Sequence, residues 1–313
     1  MPDPSSPSAA GPATWPARLW GSAYVLLPLT MLMWSGNIIA GRIASGQVPP
    51  MTLSFWRWVI ASLVILPFAW RSLKADRAVL LQSWPILVVL SVFGVAGFNT
   101  FSYLGLEQTT AVNAALLQSA TSPLVFLLAF ALFRERATPM QLVGVAVSIA
   151  GVVLIVARGS LEVFSHLRLN PGDGFVLCAV ATGAIYAVLL RKRPPVHPLS
   201  LLAAIFSLGA VIMIPFYAAE LMAGRTARWG PEAGLTLAYV SIFPSVIAYL
   251  FYNRGVQLLG AGRAGQFGHL TPLLATLLAV GLLGERLHGY HLAGAVLIAG
   301  GIYIASRRGA QAA

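Results

Sequence analysis

Residues 121–151 read TSPLVFLLAFALFRERATPMQLVGVAVSIAG, and residues 270–301 read LTPLLATLLAVGLLGERLHGYHLAGAVLIAGG. Each is an apolar run of helical length that opens on Pro-Leu, closes on Glu-Arg and is followed by a second apolar run with spaced glycines. Pro123-Leu124 and Pro272-Leu273 stand 149 residues apart, as do Tyr103 and Tyr252 upstream. Glu135-Arg136 and Glu285-Arg286 are offset by 150, and so are Gly144 and Gly294, and Gly151 and Gly301. An offset of 149 that becomes 150 after one gained residue, kept over five landmarks, marks an internal repeat about half the chain long.

The rest of the chain fits that unit. Of its 313 residues 58% are hydrophobic and 9% charged, far from the roughly 25% charged of soluble domains. Apolar stretches long enough to cross a hydrocarbon core of ~30 Å run over 23–41, 51–70, 84–104, 112–132, 140–157, 174–191, 199–218, 235–253, 263–283 and 289–306. The expectation is an all-α integral membrane fold of ten transmembrane helices. It divides into a tail at 1–20, a first repeat at 21–157, a second at 174–306 and a tail at 307–313. The first run contains Trp34 and Asn37 and is a full span, so it reads as a helix rather than a signal peptide. The loops near 158–173 and 219–234 are too short for an extramembrane domain.

Each unit has an odd number of spans, so the second enters the membrane from the opposite side. Inverted repeats of this kind underlie alternating access in secondary transporters, because two near-equivalent halves exchange conformations at similar energy. Thirteen of the 20 Lys and Arg fall in the tails and even-numbered connections, six fall on the other side, and Arg57 lies within a span. That asymmetry puts both termini in the cytoplasm and accounts for a net charge of +11 without nucleic acid.

Several marks together resemble one family. They are Trp34-Ser35-Gly36-Asn37, Pro50 followed by Phe55-Trp56-Arg57, and the twin Pro-Leu helices described above. With these the chain resembles the ten-helix EamA-type exporters of the drug/metabolite transporter superfamily, over nearly its whole length. The resemblance implies export of amino acids, other metabolites or toxic organic compounds across a bacterial inner membrane. It also implies a central cavity between two four-helix groups, with helices 5 and 10 peripheral. Within the family the sequence looks somewhat like exporters of amino acids, aromatic ones included.

Residues for such a cavity are available at membrane depth. Pro123 and Pro272 remove backbone donors and free the carbonyls of Ser119 and Gly268, so each is either a hinge beside a substrate path or a packing kink. Trp34, Asn37, Asn99, Ser102, Tyr103, Gln118, Tyr186, Ser245, Tyr249, Tyr252, Gln266 and His269 are candidate substrate contacts; their alternative use is hydrogen bonding between helices. Ser119, Thr121, Ser122 and Thr271 cluster around the prolines. An aromatic lining with neutral donors suits a zwitterionic or partly apolar molecule better than a sugar phosphate, which would need clustered cations. Arg57, six residues and roughly 9 Å inside the second span, either grips a substrate carboxylate or serves structure, snorkelling outward or pairing with Glu107. His269 either couples protons or hydrogen-bonds as a neutral ring.

Other classes find little support. Neither Lys74 nor Lys192 follows the glycine of a phosphate loop, which argues against ATP hydrolysis. His166, His197, His288 and His291 fall in loops or at helix ends, leaving no constellation for an intramembrane enzyme. One cysteine, Cys178, gives no disulfide framework or thiolate metal site, and no cofactor is expected. The expected partners are a small-molecule substrate and the bilayer. Gly144, Ser148, Gly151, Gly294 and Gly301 serve packing within the monomer or, less simply, the seam of a homodimer.

Overall fold

The computed structural model describes residues 20–133, 138–160, 170–259, 264 and 267–306. Ten helices run through them: α1 (Ala23–Ala44), α2 (Pro50–Gln82), α3 (Trp84–Gln108), α4 (Ala111–Phe133), α5 (Pro139–Val156), α6 (Pro171–Leu189), α7 (Pro198–Met222), α8 (Pro231–Leu259), α9 (Phe267–Leu283) and α10 (Gly289–Ser306). Eight are long and apolar enough to span a bilayer, and α9 and α10 are shorter apolar helices. The fold is that of a multi-pass membrane protein built from two inverted five-helix repeats.

Several helices exceed the spans expected from hydropathy, because a helix does not stop where hydrocarbon does. The second was expected over 51–70 but continues to Gln82. Residues 71–82 carry charge yet contain no Gly or Pro, so nothing interrupts the backbone ladder. Proline marks starts instead: α2, α5, α6, α7 and α8 each have one at N1 or N2, where the missing N–H has no intrahelical partner in any case. The expected tails at 1–20 and 307–313 lie outside the described residues except for Trp20, as does Glu135-Arg136.

Two pairings organise the bundle. α2 packs along α7, its repeat equivalent, around buried Trp58, Ile65, Ile205 and Phe206. α5 packs chiefly on α10, glycine against glycine. A Cβ on Gly151 would fall 2.7 Å from the Gly294 carbonyl oxygen, and one on Gly301 would strike the Gly144 backbone and Ser148. The small-residue faces of α5 and α10 therefore serve each other within the monomer.

Four helices are irregular near mid-bundle. α3 is π-helical over Ser91–Gly97 and α8 over Phe243–Ile247; the repeat offset of 149 carries 91–97 onto 240–246, so the two segments overlap. α4 is not one kinked helix as expected but two pieces, Ala111–Gln118 and Thr121–Phe133. α9 opens with a 3₁₀ turn, Phe267–His269. Pro123 and Pro272 thus occupy the first turn of a new helical segment, where proline costs no hydrogen bond, rather than a helix interior.

Candidate functional site

The irregular segments surround a cavity of about 360 Å³. Its rim and walls come from both repeats: Trp34 of α1, Gly94 and Phe98 of α3, Gln118, Ser119, Thr121 and Ser122 of α4, Gly183 and Tyr186 of α6, Tyr249 of α8, and Gly268, His269 and Pro272 of α9. Gly94 is required by the wall itself, because a Cβ there would run into the Tyr186 ring. Trp34 meets the rings of Tyr249 and Tyr252 at 5.8 and 5.4 Å, so these aromatics stiffen one another.

The floor is polar and is organised by Arg57, which is 3% exposed. Its Nε donates to Ser245 Oγ at 2.8 Å. The two hydrogens of its Nη1 are shared among Asn37 Oδ1 at 2.8 Å, Asn99 Oδ1 at 2.7 Å and Tyr103 OH at 2.5 Å. Tyr103 OH in turn donates a hydrogen bond to Asn37 Oδ1 at 3.0 Å, and the guanidinium also lies 4.8 Å from the Trp58 ring centre. Arg57 therefore neither snorkels nor meets Glu107, the structural pairing weighed from sequence: Glu107 is engaged by Arg225 at 2.6 Å. Coming from one turn farther along α3 than Tyr103, Glu107 belongs to the loop end and not to the floor.

Ser245 holds its place through a proline that sequence reasoning passed over. Pro244 has no N–H for the carbonyl of Val240, four residues back. The Ser245 hydroxyl donates to that oxygen instead, at 2.7 Å, and this orients its lone pairs toward Arg57. Trp34 Nε1 donates to the Pro244 carbonyl at 3.1 Å, tying α1 to the same break. An internal Pro-Ser pair in an apolar run was the available signal. Gly94, Phe98, Ala115 and Gly183, small or apolar wall residues, gave none.

Of the residues singled out from sequence, Trp34, Asn37, Arg57, Asn99, Gln118, Tyr186, Tyr249, His269 and Pro272 line the cavity. Tyr103 and Ser245 lie behind it as partners of Arg57, Tyr252 packs on Trp34, and Ser102 accepts from Gln118 Nε2 at 3.4 Å. Pro123 is buried at the α4 break, and Gln266 lies outside the described residues. Ser119, Thr121, Ser122 and Thr271, the polar residues around the prolines, line the cavity as well, and some of them also bond locally. Ser119 donates to the Leu116 carbonyl, Thr121 to that of Gln118 at 2.7 Å, and Ser35 of α1 to that of Thr271 at 2.9 Å.

The cavity is sealed toward the end where α4 begins. Residues 111–117 are buried throughout. The Glu285 carboxylate accepts from Ala111 N and Val112 N at 2.8 and 2.9 Å. Asp173 accepts from Thr109 Oγ1 at 2.5 Å and from Asn113 Nδ2 at 3.0 Å, and Asn113 Oδ1 meets His291 Nε2 at 3.0 Å. His291, grouped from sequence with inert helix ends, is thus part of this plug and only 3% exposed. Past the α4 break the second segment is only partly covered, and toward that end the cavity is lined by Tyr186, Tyr249 and His269. Among the described residues no cluster could hold a metal ion.

Comparison with known proteins gives a consistent result. The model of the EamA-like transporter family matches this chain twice, over residues 21–157 and 170–307. An uncharacterized transporter of Archaeoglobus fulgidus is 32% identical over 289 residues, which is 91% of this chain and 97% of its own. The uncharacterized transporter YyaM of Bacillus subtilis is 26% identical over 90% of this chain and 93% of its own. The uncharacterized inner membrane transporter YedA of Escherichia coli is 24% identical over 86% and 84%. A crystal structure, 23% identical, superposes with a TM-score of 0.61 over 91% of this chain and 96% of its own, a likeness of fold.

Proposed function

The chain belongs to the EamA-like transporter family, and on that premise we propose that it exports small organic metabolites by alternating access. Amino acids, aromatic ones among them, are the foremost candidates. The observation that carries this reading is the cavity between the two repeats. At about 360 Å³ it lies in the lower part of the ~300–1,000 Å³ range of small-molecule sites. It is walled by aromatic rings and sealed at one end by polar contacts.

With both tails in the cytoplasm of a bacterial inner membrane, the sealed end faces outward. The cavity then faces the compartment from which an exporter loads. Pro123 and Pro272, each at the start of a helical segment beside the cavity, are the proposed hinges. Export then means parting the contacts at the α4 start while α9 and the second piece of α4 close over the other side. His269, exposed beside the cavity, is the proposed coupling residue if flux follows a proton gradient.

A second reading, export of organic cations, draws on the same aromatic walls, since Trp and Tyr faces attract cations. Proteoliposomes of the purified chain decide between these readings. Saturable counterflow of phenylalanine or another amino acid supports the first, and flux confined to organic cations supports the second. No saturable flux of either overturns the carrier reading. Gradient-driven flux lost in His269→Ala assigns the coupling, and flux indifferent to both gradient and variant removes it.

A further inference from the structure

We propose that the cavity floor is an anion anchor, and that the transported molecule carries a carboxylate which binds Arg57, Asn37 and Asn99. This rests on the carrier reading and narrows its substrate class. The argument starts from what an arginine imposes on its neighbours. A guanidinium has five N–H donors and no acceptor, so every polar group turned toward it must present oxygen. Asn37 and Asn99 both do so, through Oδ1. Each amide nitrogen therefore points the other way, and neither Nδ2 makes any of the described hydrogen bonds. The hydrogen bonds of Arg57 use Nε and Nη1, and none of those described uses Nη2.

The acceptors that Arg57 and Trp34 reach are, by contrast, already engaged. Tyr103 OH and Ser245 Oγ accept from Arg57 and donate inward, and the Pro244 carbonyl accepts from Trp34. What remains toward the cavity, which Arg57, Asn37 and Asn99 all line, is a set of N–H donors around a fixed positive charge. Donors without acceptors fit a carboxylate and oppose an ammonium.

Charge balance leads to the same ligand. A cation 3% exposed at membrane depth normally pairs with an acid. Arg57 makes none of the ion pairs among the described residues, and its four partners are neutral. Of the described carboxylates, Glu107, Asp173, Glu220, Glu232 and Glu285 are engaged at the sealed end and Asp76 at the opposite end. The missing negative charge is thus one that a ligand can bring. The feature is confined to one repeat: Pro198 stands 148 residues after Pro50, and the same step carries Arg57 to Ile205. One cation, rather than a cluster, suits a single carboxylate on an apolar or aromatic body better than a phosphate.

The test uses the full chain in lipid nanodiscs and reads binding separately from transport. Tritiated 3-phenylpropionate is the probe. Its competitors are phenethylamine for the cation, 3-phenylpropionamide for the neutral isostere and benzylphosphonate for a doubly charged oxyanion. Unlabelled 3-phenylpropionate is expected to compete at a concentration about 10-fold or more below the amine and the amide, and below the phosphonate. Asn99→Asp supplies an internal counter-ion at constant shape. It is expected to weaken binding of the acid about 10-fold or more without lowering the melting temperature, a combination that misfolding cannot produce.

The proposal is overturned if the amine, the amide or the phosphonate competes as well as the acid, if Asn99→Asp binds the acid like the parent, or if the acid shows no specific binding. Counterflow of phenethylamine without binding of the acid would remove the anchor and keep the carrier. Binding of the acid with no flux of any compound would keep the anchor and remove the carrier.

Discussion

The two ends of the bundle are held by different chemistry. At the end where α2 and α4 begin, carboxylates distant in sequence, one on α7 and one in the loop after α9, reach helix N-termini. Glu220 of α7, 6% exposed, accepts from Met51 N, Thr52 N and Thr52 Oγ1 at 3.2, 2.7 and 2.9 Å. Glu285 does the same for α4. Arg42 donates to the Leu106 carbonyl at 2.7 Å, and Gln47 meets Glu232 at 2.9 Å. At the other end the described equivalents are few and exposed: Asp76 accepts from His197 N at 2.9 Å, and Arg254 donates to the Trp20 carbonyl at 3.3 Å.

A helix N-terminus has four N–H groups without intrahelical partners and the positive end of the helix dipole. An acid anchored elsewhere in the fold serves both needs and at the same time locks the two elements together. Pro49, the N-cap of α2, has no side chain able to cap, so closure at that end depends on Glu220. On the alternating-access reading proposed above, a gate can be made from caps: the bonds that complete a helix are the ones that part when the cavity changes sides.

The largest effect is therefore expected at Glu220. Glu220→Ala removes three accepted bonds in a buried setting and should cost about 3 kcal/mol, read as a lower melting temperature of the purified chain in lipid. Glu285→Ala comes next, at about 2 kcal/mol. Here the informative readout is local: amide exchange over 111–117 should accelerate about 10-fold or more while exchange in the α5–α10 pair stays as it was. Uniform acceleration would mean that Glu285 stabilises the fold as a whole and is no gate.

How much of this was legible in the sequence depends on range. The ten helices and the inverted repeat are carried by apolar runs and by landmarks such as Pro123 and Pro272, each readable locally. Much of the cavity lining was legible too, because polar and aromatic residues at membrane depth stand out against hydrocarbon. The partners were not. Glu285 and Ala111 are 174 residues apart, Arg57 and Ser245 are 188 apart, and no local pattern joins them. Glu107 resembled a mate for Arg57 only until Arg225 was placed beside it. Asn99 and Tyr103, four apart on α3, did give a one-face signal, whereas the wall residues Gly94 and Ala115 gave none.

The smallest effect is expected at the open end, and it is the one that makes the comparison a test. Asp76 caps α7 as Glu220 caps α2, helix for helix, but it does so in the aqueous fringe beyond the spans. Water can replace it there at little cost, so Asp76→Asn should leave the melting temperature unchanged within error. It should also leave exchange over 111–117 at the parental rate. A loss comparable to that of Glu285→Ala would show that the two ends are clasped alike, and the asymmetry between a sealed and an open end would then need another origin. If instead Asp76→Asn is silent and Glu285→Ala is not, the difference lies in burial. A carboxylate at a helix start is then a gate where lipid and packed helices exclude water, and an incidental contact where they do not.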